Sequence, residues 1–321
     1  MPDTALRALL PAYGLPKDAP LRLMHRSEND TWLAGDGAGA LVLRQHRAGY
    51  HSKAEIAAEL AWLAALQGLP GLRCPRPVPA GDGRLILTAG GRFVCAFAFV
   101  PGREPQPEDD LAPWFEDIGA ISARLHRHAR SWPRPPGFIR KRWDVATILG
   151  PRPHWGDWRA APDLGPAGIA LLQRLSDDLA ARLGAYGTGP GRFGLIHADL
   201  RLANLLIDDR GLWAIDFDDC GFGWRMYDFA ASVSFIEHDP RLPELAARWC
   251  AGYERTGLRL SPEDRAILPV LVMLRRLLLT AWAASRADSD TVREIGLAAY
   301  VRGTLELAER HLTGGLARGW R

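Results

Sequence analysis

The chain has 321 residues, of which 47% are hydrophobic and 24% charged, a balance that predicts an ordinary globular protein with a core large enough for two lobes. Its formal charge of +3 is too small to argue for a nucleic-acid partner, although nearly all the cations are arginine, the only lysines being Lys17, Lys53 and Lys141. Cys74, Cys95, Cys220 and Cys250 are scattered without a C-x-x-C pair, so neither a zinc site nor a disulfide framework is indicated.

Met1 to Pro16 lacks a basic start followed by an apolar run, and the most apolar later stretch, Ile267–Leu279, contains Pro269, Arg275 and Arg276. A cytoplasmic protein with no membrane partner is therefore expected. From Leu21 to Ala98, short apolar runs are separated by Gly35-Asp36-Gly37-Ala38-Gly39, Gly81-Asp82-Gly83 and Ala89-Gly90-Gly91, which predicts an antiparallel sheet. One helix interrupts it, Lys53 to Leu66, with Ile56, Leu60 and Leu63 on one face. The run Phe97-Ala98-Phe99-Val100 ends at Pro101-Gly102. That places an amino-terminal lobe over residues 1–100, a hinge near 97–103 and a carboxyl-terminal lobe over 104–321.

Helical spacing dominates the chain beyond the hinge. Leu111, Phe115, Ile118, Ile121 and Leu125 form one stripe, and further patterns run through Ala167–Leu183, Leu242–Tyr253, Pro262–Ser285 and Thr291–Leu312. Between them, Trp132–Asp163 is rich in Pro, Gly, Trp and Arg. Two readings of it are open, a surface loop stapled by Trp143, Trp155 and Trp158 or a lid over a substrate.

The chemistry is concentrated in one segment. Leu195-Ile196-His197-Ala198-Asp199-Leu200-Arg201-Leu202-Ala203-Asn204 runs into an apolar strand, a turn at Asp208-Asp209-Arg210-Gly211, and a second strand ending in Ile215-Asp216-Phe217-Asp218. If the strands pair as a hairpin, Asn204 and Asp216 lie opposite each other within one residue of register, roughly 5 Å apart at Cα, and can grip one hard cation such as Mg²⁺. Asp199 precedes this clamp by five positions, free to face an incoming hydroxyl. Phosphoryl transfer needs these parts: a carboxylate for the nucleophile, oxygen ligands for Mg²⁺ and cations for the transferring group.

His197 to Ala230 resembles the catalytic segment of the aminoglycoside phosphotransferase and choline kinase superfamily, distant relatives of protein kinases. The likeness extends more weakly through Ser27-Glu28-Asn29-Asp30-Thr31, Val42-Leu43-Arg44 and Phe99-Val100-Pro101-Gly102-Arg103. It implies an α+β, two-lobed protein-kinase-like fold, with a small antiparallel β lobe carrying one helix and a larger, mostly helical lobe. It implies ATP and Mg²⁺ as cofactors, Asp199 as catalytic base, Asn204 and Asp216 as metal ligands, His197 as a prop and Asp228 as a buried acceptor for the catalytic loop. One of Asp218 and Asp219 joins the metal site or faces the substrate, or both are solvated turn carboxylates. Arg201 donates to the transferring phosphoryl group or forms a surface salt bridge. Arg44 stands where a kinase carries its phosphate-gripping lysine and keeps the charge. Its partner is Glu59 or Glu55, with Glu59 favoured by the Glu-Leu-Ala-Trp-Leu pattern. Ser27, Asn29 and nearby backbone N–H groups are assigned to the phosphates, and the hinge around Phe97 and Phe99 to adenine.

Only a short stretch separates Asp216 from Tyr227-Asp228, with no A-P-E element, which disfavours a regulated protein kinase. The leading reading is an ATP-dependent phosphotransferase acting on a small-molecule hydroxyl. A stress-response type protein Ser/Thr kinase of the same superfamily is the alternative, with a pseudokinase scaffold and a metal-dependent phosphohydrolase behind it. The arginines of Trp132–Asp163 argue against polycationic aminoglycosides as substrate. Arg275, Arg276 and Trp282 on the late helix are read either as a site for an anionic or zwitterionic molecule or as a core stripe.

Overall fold

The computed structural model describes residues 2–26, 29–287 and 289–318. The elements up to residue 103 are α1 (Pro2–Arg7), β1 (Leu21–Arg26), β2 (Asn29–Ala34), β3 (Leu41–His46), α2 (Lys53–Leu66), β4 (Pro77–Val78), β5 (Leu87–Ala89) and β6 (Arg92–Ala98). The middle of the chain forms α3 (Leu111–Ser131), β7 (Arg142–Trp143), α4 (Val145–Ile148), α5 (Gly165–Tyr186), β8 (Phe193–Ile196), β9 (Leu205–Asp208), β10 (Gly211–Ala214) and β11 (Gly221–Trp224). The chain closes with α6 (Tyr227–Ser232), α7 (Leu242–Arg255), α8 (Pro262–Ala266), α9 (Leu268–Ser285), α10 (Asp290–Ile295), α11 (Leu297–Leu312) and α12 (Gly315–Arg318).

By packing, the chain divides into two units. The first comprises residues 1–103, 133–140 and 206–218, and the second residues 104–132, 141–205 and 219–321. The sequence suggests one cut near residue 100; the division by packing is discontinuous, because two later segments fold onto the first unit.

In the first unit the strand order is β1-β2-β3-β6-β4, with β5 paired to β6, all antiparallel. The glycine cluster 35–39 makes the β2–β3 turn, so Ala34 pairs with Leu41. One face of the sheet closes over Leu6, Leu10, Trp32, Leu43 and Val94. On α2, Ile56, Leu60 and Leu63 are buried, as the spacing predicts. The hairpin of β9 and β10 forms, and a bridge from Ile207 to Arg103 joins it to the end of the amino-terminal segment.

The second unit is mostly helical, with one small sheet of order β7-β11-β8. The stripe Leu111, Phe115, Ile118, Ile121 and Leu125 on α3 is entirely buried. Two long helical patterns are broken. Pro262–Ser285 divides at Ile267, because Pro269 starts a new first turn, where its missing N–H costs nothing. Thr291–Leu312 divides at Gly296, whose φ of 69° is left-handed. The stretch through α8 and α9 is long and apolar enough to cross a membrane by composition, yet its apolar window is 94% buried inside the protein. It is a core helix, and Arg275 and Arg276 on it are buried in ion pairs. Trp132–Asp163 holds β7, α4 and a 3-10 turn at Trp158–Ala160, and Trp143, Trp155 and Trp158 are interior residues.

Helices α3 and α7 touch backbone to backbone. A Cβ on Gly119 would lie 2.0 Å from the Trp249 carbonyl oxygen, and one on Gly252 1.7 Å from that of Glu116. Gly119→Ala and Gly252→Ala should each lower stability by about 1–3 kcal/mol, since neither helix can move without disturbing a close-packed core. Gly184→Ala, on α5 with open space around it, should instead be neutral or stabilising. Urea unfolding of the three variants checks this order; equal stabilities would contradict it.

Candidate active site

Arg44, Glu59, Asp216 and Asp218 lie in the first unit. Arg44 enters on β3, between β2 and β6, and is 5% exposed. Its Nη2 donates to both carboxylate oxygens of Glu59 at 2.5 and 2.6 Å, and its Nη1 to Oδ1 of Asp216 at 3.0 Å. Burial works against the guanidinium's charge, and Glu59, Asp218 and Asp216 outweigh it, raising its pKa. The choice between the two glutamates is settled locally. Ser52 caps α2 by accepting the Glu55 N–H at 3.2 Å, while the Glu55 carboxylate accepts the Ser52 N–H at 2.8 Å. Glu55 is spent on its own helix end, and Glu59, one turn on and fully buried, meets Arg44.

Asp216 leaves β10 with a left-handed φ of 58°, and its side chain is 40% exposed. Asp218 is buried, which excludes the solvated-turn alternative. Its Oδ2 accepts from Asn29 Nδ2 at 2.5 Å, and its carbonyl accepts from Arg140, whose guanidinium also donates to the Glu55 carbonyl at 2.8 Å. Burial alone would raise the Asp218 pKa; attraction to Arg44 and His51 and the Asn29 hydrogen bond hold it well below the usual carboxylate range.

Three of the residues assigned to the nucleotide also have partners within the protein. The Asn29 amide, expected at the phosphates, is committed to Asp218 and, through Oδ1, to the Arg47 N–H at 3.3 Å. Phe97, expected at adenine, packs its ring 5.0 Å from the Arg44 guanidinium, with its backbone between β3 and β4. The Phe99 N–H is taken by the Ala40 carbonyl at 3.1 Å. Ser27 lies outside the described residues.

His197, Asp199, Arg201 and Asn204 lie in the second unit, on the loop after β8. His197 is fully buried, and its Nδ1 accepts the Asp199 N–H at 3.3 Å. Ala198 takes a left-handed φ of 67°, a strained turn that must be held from outside. Asp228, at the start of α6, holds it by accepting the N–H groups of His197 at 3.3 Å and Ala198 at 2.8 Å. His126 on α3 bonds Asp228 through Nε2 at 2.9 Å and the Tyr253 hydroxyl through Nδ1 at 3.0 Å. Burial pushes the His126 pKa down against the pull of Asp228.

Asp199 ends this chain of supports. Asn204 Nδ2 donates to its Oδ2 at 2.7 Å and to its carbonyl at 2.8 Å, and Arg201 Nε stands 3.5 Å from Oδ2. Arg201 is therefore an ion-pair partner of Asp199. Arg275 of α9, almost fully buried, pairs with Oδ1. Sequence reasoning missed Arg275 and His126 at this site. An arginine inside an apolar helix was the available signal for the first; no local signal marks the second.

Comparison with known proteins agrees with this geometry. The model of the phosphotransferase enzyme family matches residues 20–265, and the chain belongs to that family. A solved structure of a microcompartment-associated aminopropanol kinase is 46% identical, covers 97% of this chain and 98% of its own, and superposes with a TM-score of 0.88. A homoserine kinase of Gluconacetobacter diazotrophicus is 30% identical, over 91% of this chain and 90% of the relative. An amicoumacin kinase solved with AMP-PNP, Ca²⁺ and its antibiotic shares the fold at 21% identity, covering 89% and 88% of the two chains, with a TM-score of 0.71. The α+β protein-kinase-like fold expected from the sequence is thus present, and the protein is an ATP-dependent phosphotransferase acting on a small molecule.

One consequence of this site can be measured through stability. His46, at the end of β3, is 1% exposed, and neither ring nitrogen has a hydrogen-bond partner among the described residues. Burial, aided by Arg44, pushes its pKa down to about 2. The unfolded chain binds a proton at His46 below about pH 6.5 while the folded chain does not, so stability falls as pH drops through that window. Each pH unit there costs about 1.4 kcal/mol from this residue alone, and His126 acts in the same direction. Urea titrations at pH 7.5 and 5.5 should show the loss, and His46→Gln should reduce the average slope between them by about half a proton; an unchanged slope would contradict it.

Proposed function

We propose that the chain transfers the γ-phosphoryl group of Mg²⁺·ATP to the hydroxyl of a small amino alcohol. The observation that carries this is the 46% identity, over nearly the full length of both chains, to an aminopropanol kinase. Homoserine, in the name of another relative, also joins an amino group to a hydroxyl.

The donor set suits a hard cation. Asp216 offers a half-exposed carboxylate just after the β9–β10 hairpin, and Asn204, just before it, spends Nδ2 on Asp199, which leaves its Oδ1 to face a metal. In this reading Asn204 and Asp216 hold Mg²⁺, with Asp218 kept ionised by Asn29 as the further carboxylate. The metal would offset charge on the phosphate oxygens. Arg44, braced by Glu59, grips the nucleotide phosphates, and backbone groups at the end of the hinge stretch, around Val100, take the adenine edge, since the N–H groups of Ala98 and Phe99 are already bonded within the protein. Asp199 orients the acceptor hydroxyl and takes its proton, and Arg201 donates to the transferring group.

A panel of amino alcohols, homoserine, sugars and antibiotics, scored by acceptor-dependent ATP consumption, tests the substrate class. The highest kcat/KM should fall on a short amino alcohol; a preference for a sugar or an antibiotic would refute the assignment. With the best acceptor, Asp199→Asn should lower kcat by roughly 10²-fold or more and leave ATP affinity nearly constant. Turnover within a few-fold of wild type would remove Asp199 from the role of base.

A further inference from the structure

Trp155 of the tryptophan-rich segment and Arg275 of α9 meet beside Asp199. The Arg275 guanidinium has every edge and one face engaged. Nε donates to the Ser234 hydroxyl at 3.1 Å, Nη1 to the Tyr227 hydroxyl at 3.3 Å and the Ala198 carbonyl at 3.4 Å, and Nη2 to Asp199 Oδ1. Its face lies 5.1 Å from the ring of Trp155.

Trp155 is itself fixed. It packs edge-on against Trp143 with centroids 5.3 Å apart and against Trp282 at 6.5 Å, and its carbonyl accepts the Ser285 hydroxyl at 2.9 Å. Trp143 is anchored by its indole N–H to the Asp219 carbonyl at 2.8 Å. Trp282 and Ser285 stand on α9, the same helix as Arg275, so the segment closes onto the helix that carries the arginine.

We propose that Arg275, seated by Trp155 and the segment around it, is the positioning residue that fixes the Asp199 carboxylate for the acceptor hydroxyl. The proposal rests on the reading of Asp199 as base. A free carboxylate rotates about Cβ–Cγ. Here Asn204 takes Oδ2 and Arg275 takes Oδ1, so rotation would break two charge-assisted bonds. An arginine is the residue for this, because its planar fork, once buried and stacked, has no other rotamer to visit. Misplacing a reacting group by about 1 Å costs on the order of 10² in rate, which is the scale at stake. The part of the segment that lies in the second unit, residues 141–163, is then a platform under the catalytic base.

The test compares Arg275→Met, Asp199→Asn and the double variant, using ATP and the fastest panel acceptor, aminopropanol being the first tried. Arg275→Met should lower kcat about 30-fold or more, while AMP-PNP affinity by calorimetry stays within about twofold. The double variant should be no slower than Asp199→Asn alone, because the arginine acts through that carboxylate. Turnover of Arg275→Met within threefold of wild type would overturn the proposal. So would additive losses in the double variant, or parallel losses of kcat, nucleotide affinity and Tm, which mark a merely structural pair. If Arg275→Met does not fold, Trp155→Leu and Ser234→Ala, which loosen the guanidinium but leave its charge, decide: kcat lower by about 3–10-fold at constant AMP-PNP affinity supports it, and unchanged kcat refutes it. Full turnover by Asp199→Asn would mean that the base assignment has failed, a result distinct from failure of the arginine alone.

Discussion

The constraint on which much of the structure depends is the burial of charge beside reacting groups. Arg44 has lost nearly all contact with water, and a cation in that position is tolerated only where anions and hydrogen bonds replace the solvent. Glu59 and Asp216 do so, and this requirement orders the first unit around them. It fixes the face that α2 turns to β3, and it explains why that helix carries its own capping glutamate and leaves Glu59 undisturbed. It also reaches the turn after β10, where Asp216 accepts a left-handed backbone to present its carboxylate. Removing one member of such a group leaves another charge buried alone, which typically costs about 3–5 kcal/mol.

The second unit repeats the logic with the signs exchanged. There the central group is an anion, Asp199, and the buried partner is a cation, Arg275. The loop that carries Asp199 is held by Asp228, which in turn is held by His126, whose other ring nitrogen bonds the Tyr253 hydroxyl. Each layer removes a freedom from the one before it: the core helix α3 orients a histidine, the histidine orients a carboxylate, and that carboxylate ties down a strained turn.

Much of this was legible in the sequence wherever the signal was local. The glycines at 35–39 mark a turn by their backbone freedom, the apolar spacing of Lys53–Leu66 marks a buried helix face, and the H-x-D-x-x-x-x-N run with I-D-F-D marks a phosphotransferase segment. Glu55 and Glu59 could not be separated by spacing, because four residues apart they share a face; the Ser52 capping box separates them, and it becomes decisive only once the helix start is known. Long-range partners were not legible. Arg275 meets a residue 76 positions away, so its sequence neighbours show only an arginine in an apolar helix, consistent with a ligand site or a core stripe. Asn29 and Phe97 lie in motifs that resemble those of nucleotide-binding relatives, but their side chains are used inside the protein, on Asp218 and Arg44. The tryptophans of Trp132–Asp163 suggested a staple; the object being held, a guanidinium, lies on another element.

If Asp216 holds the metal as proposed, its carboxylate makes nucleotide binding metal-dependent. Calorimetric titration of AMP-PNP into wild-type protein and Asp216→Ala, each with and without Mg²⁺, tests it most directly, because it needs no acceptor. Mg²⁺ should enhance binding by the wild type and lose that effect in the variant, since a neutral amide alone is a poor ligand for a cation that prefers carboxylate. Equal affinity and equal Mg²⁺ dependence in the two proteins would contradict it.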